Sequence, residues 1–327
     1  TPFWRKLRAQ LQPRPAVPSP AWISSRVLAD SVDLDALHLL PRIAWDAAFA
    51  QHWRPGEGGA REALDKFLIE AVSDYPGDRD RPDRVGTSRL SAHLHFGEIS
   101  PRQILWALWE GAMNARSASR EKGVETFLRE LGWRDFSHHL LFHFPNTAQQ
   151  NLKPQFDGFA WARDNSDVLA RWQRGQTGVP IVDAGMRQLW QTGWMHNRVR
   201  MIVAGFLTKN LRQHWLHGAR WFWDTLVDAD LANNTQGWQW SAGCGADAAP
   251  YFRIFNPVGQ GERFDPHGDY VRRWVTELAN VTAPLIHQPW KQPDILHRSG
   301  YPSPVVDLRE SREAALLAYR QMRGDSV

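Results

Sequence analysis

Apolar residues recur every three to four positions along most of this chain, which is the spacing of amphipathic α-helices. One such stripe begins at residue 60. Another follows Ser100 and Pro101, a capping hydroxyl and a proline that suit the start of a helix. No stretch alternates apolar and polar residues for long enough to predict a strand. The pattern predicts an all-α fold, with further helices over residues 123–142, 182–191, 196–214, 219–228, 268–278 and 310–323.

The first 59 residues lack this periodicity. Residues 13–20 are rich in proline and are typical of a stiff, extended linker. Residues 54–59 are rich in glycine and form a second break in the pattern. We therefore expect residues 1–59 to be a connector and residues 60–327 to be one helical domain.

Composition excludes several classes of protein. The chain has 327 residues, a net charge of +4 and one cysteine, Cys244, so it is not a disulfide scaffold. The longest uncharged apolar run is about eight residues, at 201–208, whereas a membrane span needs roughly 20. We expect a cytoplasmic protein that does not cross a membrane.

Two residue types are unusually frequent: 18 tryptophans, and 33 arginines against six lysines. Arginine suits phosphates and planar partners, and tryptophan stacks on rings. A GC-rich genome would also favour arginine over lysine, and some of the tryptophans can belong to the core. The composition therefore permits a nucleic-acid partner but does not require one.

Phe127, Glu130, Trp133 and Arg134 fall on one face of a predicted helix, because their offsets are three, six and seven residues. A buried glutamate and a buried arginine would each need a partner. The set is either an ordinary ion pair on an amphipathic helix or part of a site.

Two later segments also concentrate polar groups. Asn197, Arg198 and Arg200 stand at the start of an apolar helix, where a site is often found. Asp228 and Asp230 are expected to end the helix over 219–228, where carboxylates oppose the helix dipole. An arginine, a metal ion or ligand donors would have to compensate them. A metal is the weaker alternative, because the spacing is not that of a calcium loop and no His/Cys cluster suggests zinc.

The loop 85–91 contains glycine, hydroxyls and an arginine in front of a helix, which is a composition that can hold a phosphate. Alone this signal is weak, because many helix caps have a similar composition. The chain has no dinucleotide-binding or P-loop glycine motif and no evident catalytic triad.

Together, five segments resemble the photolyase/cryptochrome family: GTSRLS at 86–91, ELGWRDF at 130–136, GWMHNRVRM at 193–201, DADLANNTQGWQW at 228–240 and GADAAPYFRIFNP at 245–257. They follow the family's order and spacing over nearly the whole chain. The last two look like the enzymes that repair cyclobutane pyrimidine dimers. The resemblance implies a helical domain that binds FAD. It also implies that residues 1–59 follow an N-terminal α/β antenna domain that this sequence lacks, and a folate or deazaflavin antenna chromophore is expected only with that domain.

The resemblance also assigns cofactor residues. Asn234 is expected at flavin N5, where it would stabilise the reduced form, and an Arg200–Asp228 pair would compensate the carboxylate. The full set expected to bind FAD is Tyr75, Thr87, Ser88, Arg89, Leu90, Ser91, Phe127, Glu130, Arg134, Asn197, Arg200, Asp228, Asp230, Asn233 and Asn234.

By the same resemblance, a dimer flipped out of DNA would lie in a pocket whose glutamate, Glu130, hydrogen-bonds a pyrimidine, while two tryptophans grip the bases. Arginines around the pocket would contact DNA phosphates. The pocket residues are Glu130, Trp133, Asn197, Met201 and Trp240, and the phosphate contacts are Arg79, Arg198 and Arg253.

Family members pass electrons to the flavin along three tryptophans. Here these correspond to Trp238, Trp215 and Trp161, counted outward from the flavin. Trp172 is an alternative for the outermost position, because the spacing from Trp161 to Trp172 is one residue longer than in relatives.

The resemblance predicts a monomeric DNA photolyase that repairs pyrimidine dimers by light-driven electron transfer from reduced FAD, with no metal ion. Two alternatives remain open at this point. One is a cryptochrome-type blue-light photoreceptor that uses the same FAD site without repair. The other is a helical DNA-binding module that has lost its flavin.

Overall fold

The computed structural model of the chain describes residues 2–15, 17–18, 20–21, 31–114, 117–163, 165–248 and 252–324. Within these ranges the regular structure is helical and no strand occurs, so the all-α prediction is confirmed. The α-helices are α1 (Pro2–Gln10), α2 (Glu57–Lys66), α3 (Tyr75–Asp78), α4 (Ser91–His95), α5 (Pro101–Asn114), α6 (Ala118–His143), α7 (Ser166–Gln173), α8 (Pro180–Thr192), α9 (Asn197–Gly205), α10 (Trp215–Thr225), α11 (Leu231–Ala242), α12 (Pro257–Phe264), α13 (Asp269–Trp274), α14 (Pro293–Ser299) and α15 (Leu308–Arg323).

Shorter helical turns connect these elements. Helices α2 and α9 each continue as a π-helical turn, Phe67–Ala71 and Phe206–Asn210 respectively. The 3₁₀ turns are Leu34–Leu37, Phe49–Gln51, Pro145–Ala148, Pro154–Gly158, Thr276–Leu278, Leu285–His287 and Pro289–Lys291.

The predicted helix over 196–214 is confirmed as far as residue 210 and is wrong at its end. The α-helix stops at Gly205 and continues as a π-helical turn to Asn210, and Arg212 has a left-handed backbone with φ of 49°. His214 then begins α10, because its Nδ1 accepts a hydrogen bond from the backbone N–H of Leu216. Helix α10 consequently starts and ends earlier than the predicted 219–228.

Two apolar cores hold the helices together. The N-terminal core contains Phe67, Tyr75, Leu90, Ile104 and Phe127, with neighbours from α2 to α6. The C-terminal core is larger and buries residues from α7 to α15, among them Trp172, Val199, Leu207, Trp215 and Trp238. Helix α6 belongs to the first core and also packs against α11, which belongs to the second. Helix α6 therefore connects the two cores.

The first 59 residues include one packed helix. Trp4 of α1 lies against Gly132 of α6, where a side chain on the glycine would come within 2.6 Å of the indole ring. An ion pair of 3.1 Å joins Arg8 to Glu125. Helix α2 begins at Glu57. Residues 16 and 19 of the proline-rich segment, and residues 22–30, lie outside the described residues, and the boundary between connector and domain stays a prediction.

No helix in the described part of the chain is both long enough and apolar enough to cross a membrane.

Candidate cofactor and substrate site

Glu130 on α6 has the partner that its burial demands. Its Oε1 accepts a hydrogen bond from Nη1 of Arg79 at 2.5 Å, and both side chains are about one quarter exposed. Burial raises the pKa of Glu130, and the nearby Arg79 charge opposes that rise. The Arg79 guanidinium also lies 5.7 Å from the ring centre of Tyr75. Phe127 packs edge-on against Tyr75 one helical turn earlier, so the start of this face is continuous with the N-terminal core.

Two of the arginines expected at DNA phosphates already have carboxylate partners. Besides the Arg79–Glu130 pair, Nη2 of Arg198 lies 2.8 Å from Oδ1 of Asp80. The Arg198 guanidinium also lies 4.4 Å from the ring centre of Phe264. Arg253, the third, is exposed. A phosphate at Arg79 or Arg198 would have to share the guanidinium with an existing partner.

The Arg200–Asp228 pair is present. Nη2 of Arg200 lies 3.0 and 2.8 Å from the two carboxylate oxygens of Asp228, whose side chain is 3% exposed. Nε of Arg200 donates to the carbonyl of Met195 at 2.7 Å. The buried carboxylate is thus compensated by an arginine, the partner that the family resemblance implied.

The prediction that Asp228 and Asp230 end a helix is wrong. Helix α10 stops at Thr225, and Asp228 lies in the link to α11. Asp230 is the N-cap of α11: its Oδ1 accepts the backbone N–H of Asn233 at 2.8 Å and the side-chain amide of Asn233 at 2.6 Å. A carboxylate at the start of a helix is stabilised by the dipole, which removes the conflict.

The remaining polar residues of α6 and α11 extend the site. Nδ2 of Asn234 donates to the carbonyl of Ala219 on α10 at 2.9 Å. His138 Nε2 lies 3.3 Å from Oδ2 of Asp230 and so joins α6 to the start of α11. Arg134 Nη2 lies 3.4 Å from the carbonyl of Leu94, at the long end of the hydrogen-bond range. The contacts join His138, Asp230 and Asn233 between α6 and α11, whereas Arg134 and Asn234 donate to backbone carbonyls of other elements.

The loop before α4 is held in an unusual conformation. Arg89 has φ of 53°, a left-handed backbone that few residues other than glycine adopt. Its guanidinium stacks 4.5 Å from the ring centre of Trp194, which precedes α9. Thr87 and Ser88 are half-buried, and the Ser88 hydroxyl accepts the N–H of Leu90 at 3.3 Å. Leu90 belongs to the N-terminal core, and Ser91 is the first residue of α4.

Three residues expected to contact the substrate line one cavity of about 60 Å³: Met201, Trp240 and Arg253. Trp133 instead lines a second cavity of about 350 Å³, which it shares with Trp4 of α1. Asn197 is exposed as the first residue of α9. The described contacts do not unite all five members of the expected dimer pocket.

The tryptophans predicted to carry electrons fall into two contact groups. Buried Trp238 contacts Phe222 and Trp172, with ring centres 4.9 and 6.1 Å away. Its ring occupies the space where any side chain on Gly218 would lie. Buried Trp215 donates from Nε1 to Asn151 at 2.9 Å.

His214 lies between Trp215 and Trp161, with ring centres 5.7 and 4.9 Å from theirs respectively. Trp161 is half-buried, whereas Trp172 is completely buried. Since the outermost member of an electron chain must reach solvent, the partial exposure of Trp161 favours it over Trp172 for the outermost position. His214 went unnoticed in the sequence, although it stands next to Trp215.

Two buried polar atoms of this region have no protein partner. Nδ1 of His196 accepts the N–H of Arg198, which leaves Nε2 as an unsatisfied donor. Burial lowers the pKa of His196 to about 4. The side-chain nitrogen of Gln236, on α11, is also unsatisfied. Hydroxyls, side-chain amides and Arg89, supplied by the loop before α4 and by α9 and α11, are donors of the kind that suits the phosphates and polar ring edge of a dinucleotide such as FAD.

Among the described residues, no group of three or more His, Cys, Asp or Glu side chains could hold a metal ion.

Comparisons with known proteins show what this chain is similar to. The profile of the family described as the FAD binding domain of DNA photolyase matches residues 127–321. The deoxyribodipyrimidine photo-lyase of Agrobacterium fabrum is 47% identical over 99% of this chain and 68% of its own length. Cryptochrome-1 of Arabidopsis thaliana is 39% identical over 85% of this chain and 42% of its own length.

A comparison with solved structures also finds a photolyase. The crystal structure of a class III photolyase from Agrobacterium tumefaciens superposes with a TM-score of 0.92 at 47% identity, covering 99% of this chain and 68% of that one. The chain therefore belongs to the photolyase/cryptochrome family and contains the FAD-binding domain of DNA photolyases. It spans about two thirds of the length of these photolyases.

Proposed function

We propose that this chain is the catalytic domain of a deoxyribodipyrimidine photo-lyase that splits cyclobutane pyrimidine dimers in DNA by light-driven electron transfer. The observation that carries the proposal is the aromatic and cationic cavity formed by Met201, Trp240 and Arg253 in a domain that matches FAD-binding photolyases. Rings and cations suit a flipped pyrimidine dimer and the phosphates beside it.

The residues suited to hold FAD come from three parts of the fold. Thr87, Ser88, Arg89 and Ser91 would bind its phosphates and ribityl chain through hydroxyls and a guanidinium. The Arg200–Asp228 pair, Asp230, Asn233 and Asn234 would surround the flavin. When bound in its reduced form, FAD supplies the electron that light transfers to the dimer.

Glu130 would orient the dimer. Because burial raises its pKa, the carboxyl holds a proton more readily than an exposed glutamate. A protonated Glu130 would donate a hydrogen bond to a pyrimidine carbonyl, while Arg79 stabilises the ionised form when the pocket is empty. Trp133 and Trp240 would stack on the two bases and exclude water.

Trp238, Trp215 and Trp161 would carry electrons from the surface toward the flavin site. The aromatic contacts from Trp161 through His214 to Trp215 support the outer part of this order. We further propose that the protein is a cytoplasmic monomer and acts on chromosomal DNA. An α/β antenna domain with its own chromophore would work with it, in cis or as a separate chain.

The test is a repair assay on an oligonucleotide that contains one cyclobutane thymine dimer. Purified protein, reduced before illumination with blue light, is expected to release intact thymines and to show flavin absorbance. Dark incubation and unreduced protein serve as controls. Flavin-containing, fully reduced protein that releases no thymine under light would refute repair and favour a cryptochrome-type photoreceptor. A colourless protein that cannot be reconstituted would favour a DNA-binding module.

A further inference from the structure

The cavity beside Trp240 contains two lysines that the proposed mechanism does not use. Lys153 and Lys209 line it together with Arg253, and no aspartate or glutamate is among the described residues of its wall. The net charge of this lining is therefore positive. Only six of the 39 basic residues in the chain are lysines, and two of them meet here.

Lys209 is a buried basic group, and the described cavity wall offers it no carboxylate. Its residue is 2% exposed and lies in the π-helical turn Phe206–Asn210, a feature that frequently marks functional sites. Nζ donates to the carbonyl of Ala242 and lies 3.3 Å from the ring centre of Phe252. A carbonyl and a ring face stabilise an ammonium but do not neutralise it. Burial accordingly lowers the pKa of Lys209.

Lys153 and Arg253 place further positive charge around the same space. Nζ of Lys153 lies 3.5 Å from the carbonyl of Ala248, so the two lysines contact carbonyls at both ends of residues 242–248. Arg253 is exposed, whereas Lys209 is enclosed. The cavity, about 60 Å³, has room for several water-sized groups, since one water needs roughly 10–15 Å³ in this measure. A tetrahedral oxyanion has that size.

We propose that this cavity is a subsite for one phosphate group, and that its occupant is a phosphodiester of the DNA strand next to the flipped dimer. The assignment rests on the proposed function, because Met201 and Trp240 line the same cavity. Lys209 contacts the phosphate from the enclosed side, and Lys153 and Arg253 contact it from the exposed side. The bound anion supplies the counter-charge that Lys209 lacks.

The shared chemistry is tested first with inorganic phosphate. Calorimetric titration of the holoprotein in the dark compares wild type with Lys209→Met and Lys153→Gln. Methionine is chosen at position 209 because its side chain is nearly as long as that of lysine but carries no charge. Each variant is expected to bind phosphate about tenfold more weakly, as the loss of one charge-assisted hydrogen bond requires. Lys291→Gln, an exposed lysine outside the cavity, is the matched control and is expected to bind like wild type. Wild-type affinity in both cavity variants would overturn the subsite, and Lys153→Gln keeps the test valid if Lys209→Met fails to fold.

The source of the phosphate is tested with dimer-containing strands in which one phosphodiester at a time is a neutral methylphosphonate. Neutralisation at one position beside the dimer is expected to weaken binding to wild type about tenfold, and to have no further effect in Lys209→Met or Lys153→Gln. If no position behaves this way while inorganic phosphate still binds, the cavity takes only the free ion, and the DNA assignment is overturned. Because binding needs no light, a protein with this phosphate dependence but without repair supports the subsite and overturns the proposed function alone.

Discussion

Removing Arg200 tests whether the ion pair with Asp228 supports the fold as the geometry indicates. In Arg200→Met the Asp228 carboxylate, 3% exposed, keeps its burial and loses both contacts to Nη2. Breaking a buried pair in this way costs about 3–5 kcal/mol, and the 24% exposure of Arg200 argues for the lower end, about 3 kcal/mol. At roughly 2 °C per kcal/mol for a chain of this size, the melting temperature is expected to fall by about 6 °C.

Calorimetry of wild type, Arg200→Met, Asp228→Leu and the double variant measures this energy as a double-mutant cycle. The double variant is expected to be more stable than Arg200→Met, because no unpaired charge remains buried. Arg298→Met is the control: its pair with Asp294 is 80% and 86% exposed, so its loss is worth no more than about 0.5 kcal/mol. Equal melting temperatures for Arg200→Met and Arg298→Met would refute the reasoning.

Three further predictions concern function. Trp238→Phe is expected to abolish photoreduction of oxidised flavin, measured by absorbance, yet to spare repair by pre-reduced protein. Trp223→Phe, which changes an exposed ring, is the control. Photoreduction that survives in Trp238→Phe would remove this residue from the electron chain. Glu130→Ala is expected to lower the repair yield per absorbed photon while flavin content stays constant, and an unchanged yield would contradict its role at the dimer. Arg253→Ala is expected to reduce the slope of log K against log salt concentration, for binding to single-stranded DNA, by about 0.7. Arg309→Ala, at an exposed arginine, is the control and is expected to leave the slope unchanged. A wild-type slope in Arg253→Ala would argue against a phosphate contact.

The sequence predicted best those elements whose signal is local. The predicted helix 123–142 lies within α6, which begins where the Ser117 side chain accepts the backbone N–H of Arg120. Helix α11 was not predicted, because the segment LANNTQGWQW carries no apolar stripe. Its start depends on Asp230, which looked like the end of the preceding helix rather than a cap.

Partners across the fold could not be predicted from spacing. The Arg79–Glu130 contact joins residues 51 positions apart, and Arg198–Asp80 joins residues 118 positions apart. The residues indicated that Asp228 needed a compensating group, and the resemblance identified that group as Arg200. The burial of Lys209 could not be predicted from the sequence, because a lysine on a helix is usually solvated, whereas the π-helical turn buries this one.

The contact between Gly218 and Trp238 has an evolutionary consequence. The indole occupies the volume that even a methyl group at position 218 would need, so helix α10 tolerates Trp238 only while residue 218 has no side chain. A larger residue at 218 becomes acceptable only after the ring at 238 shrinks, and that change would already have altered the proposed electron route. Among variants selected only for folding, the two positions are therefore expected to drift together, whereas selection for photoreduction should hold both fixed.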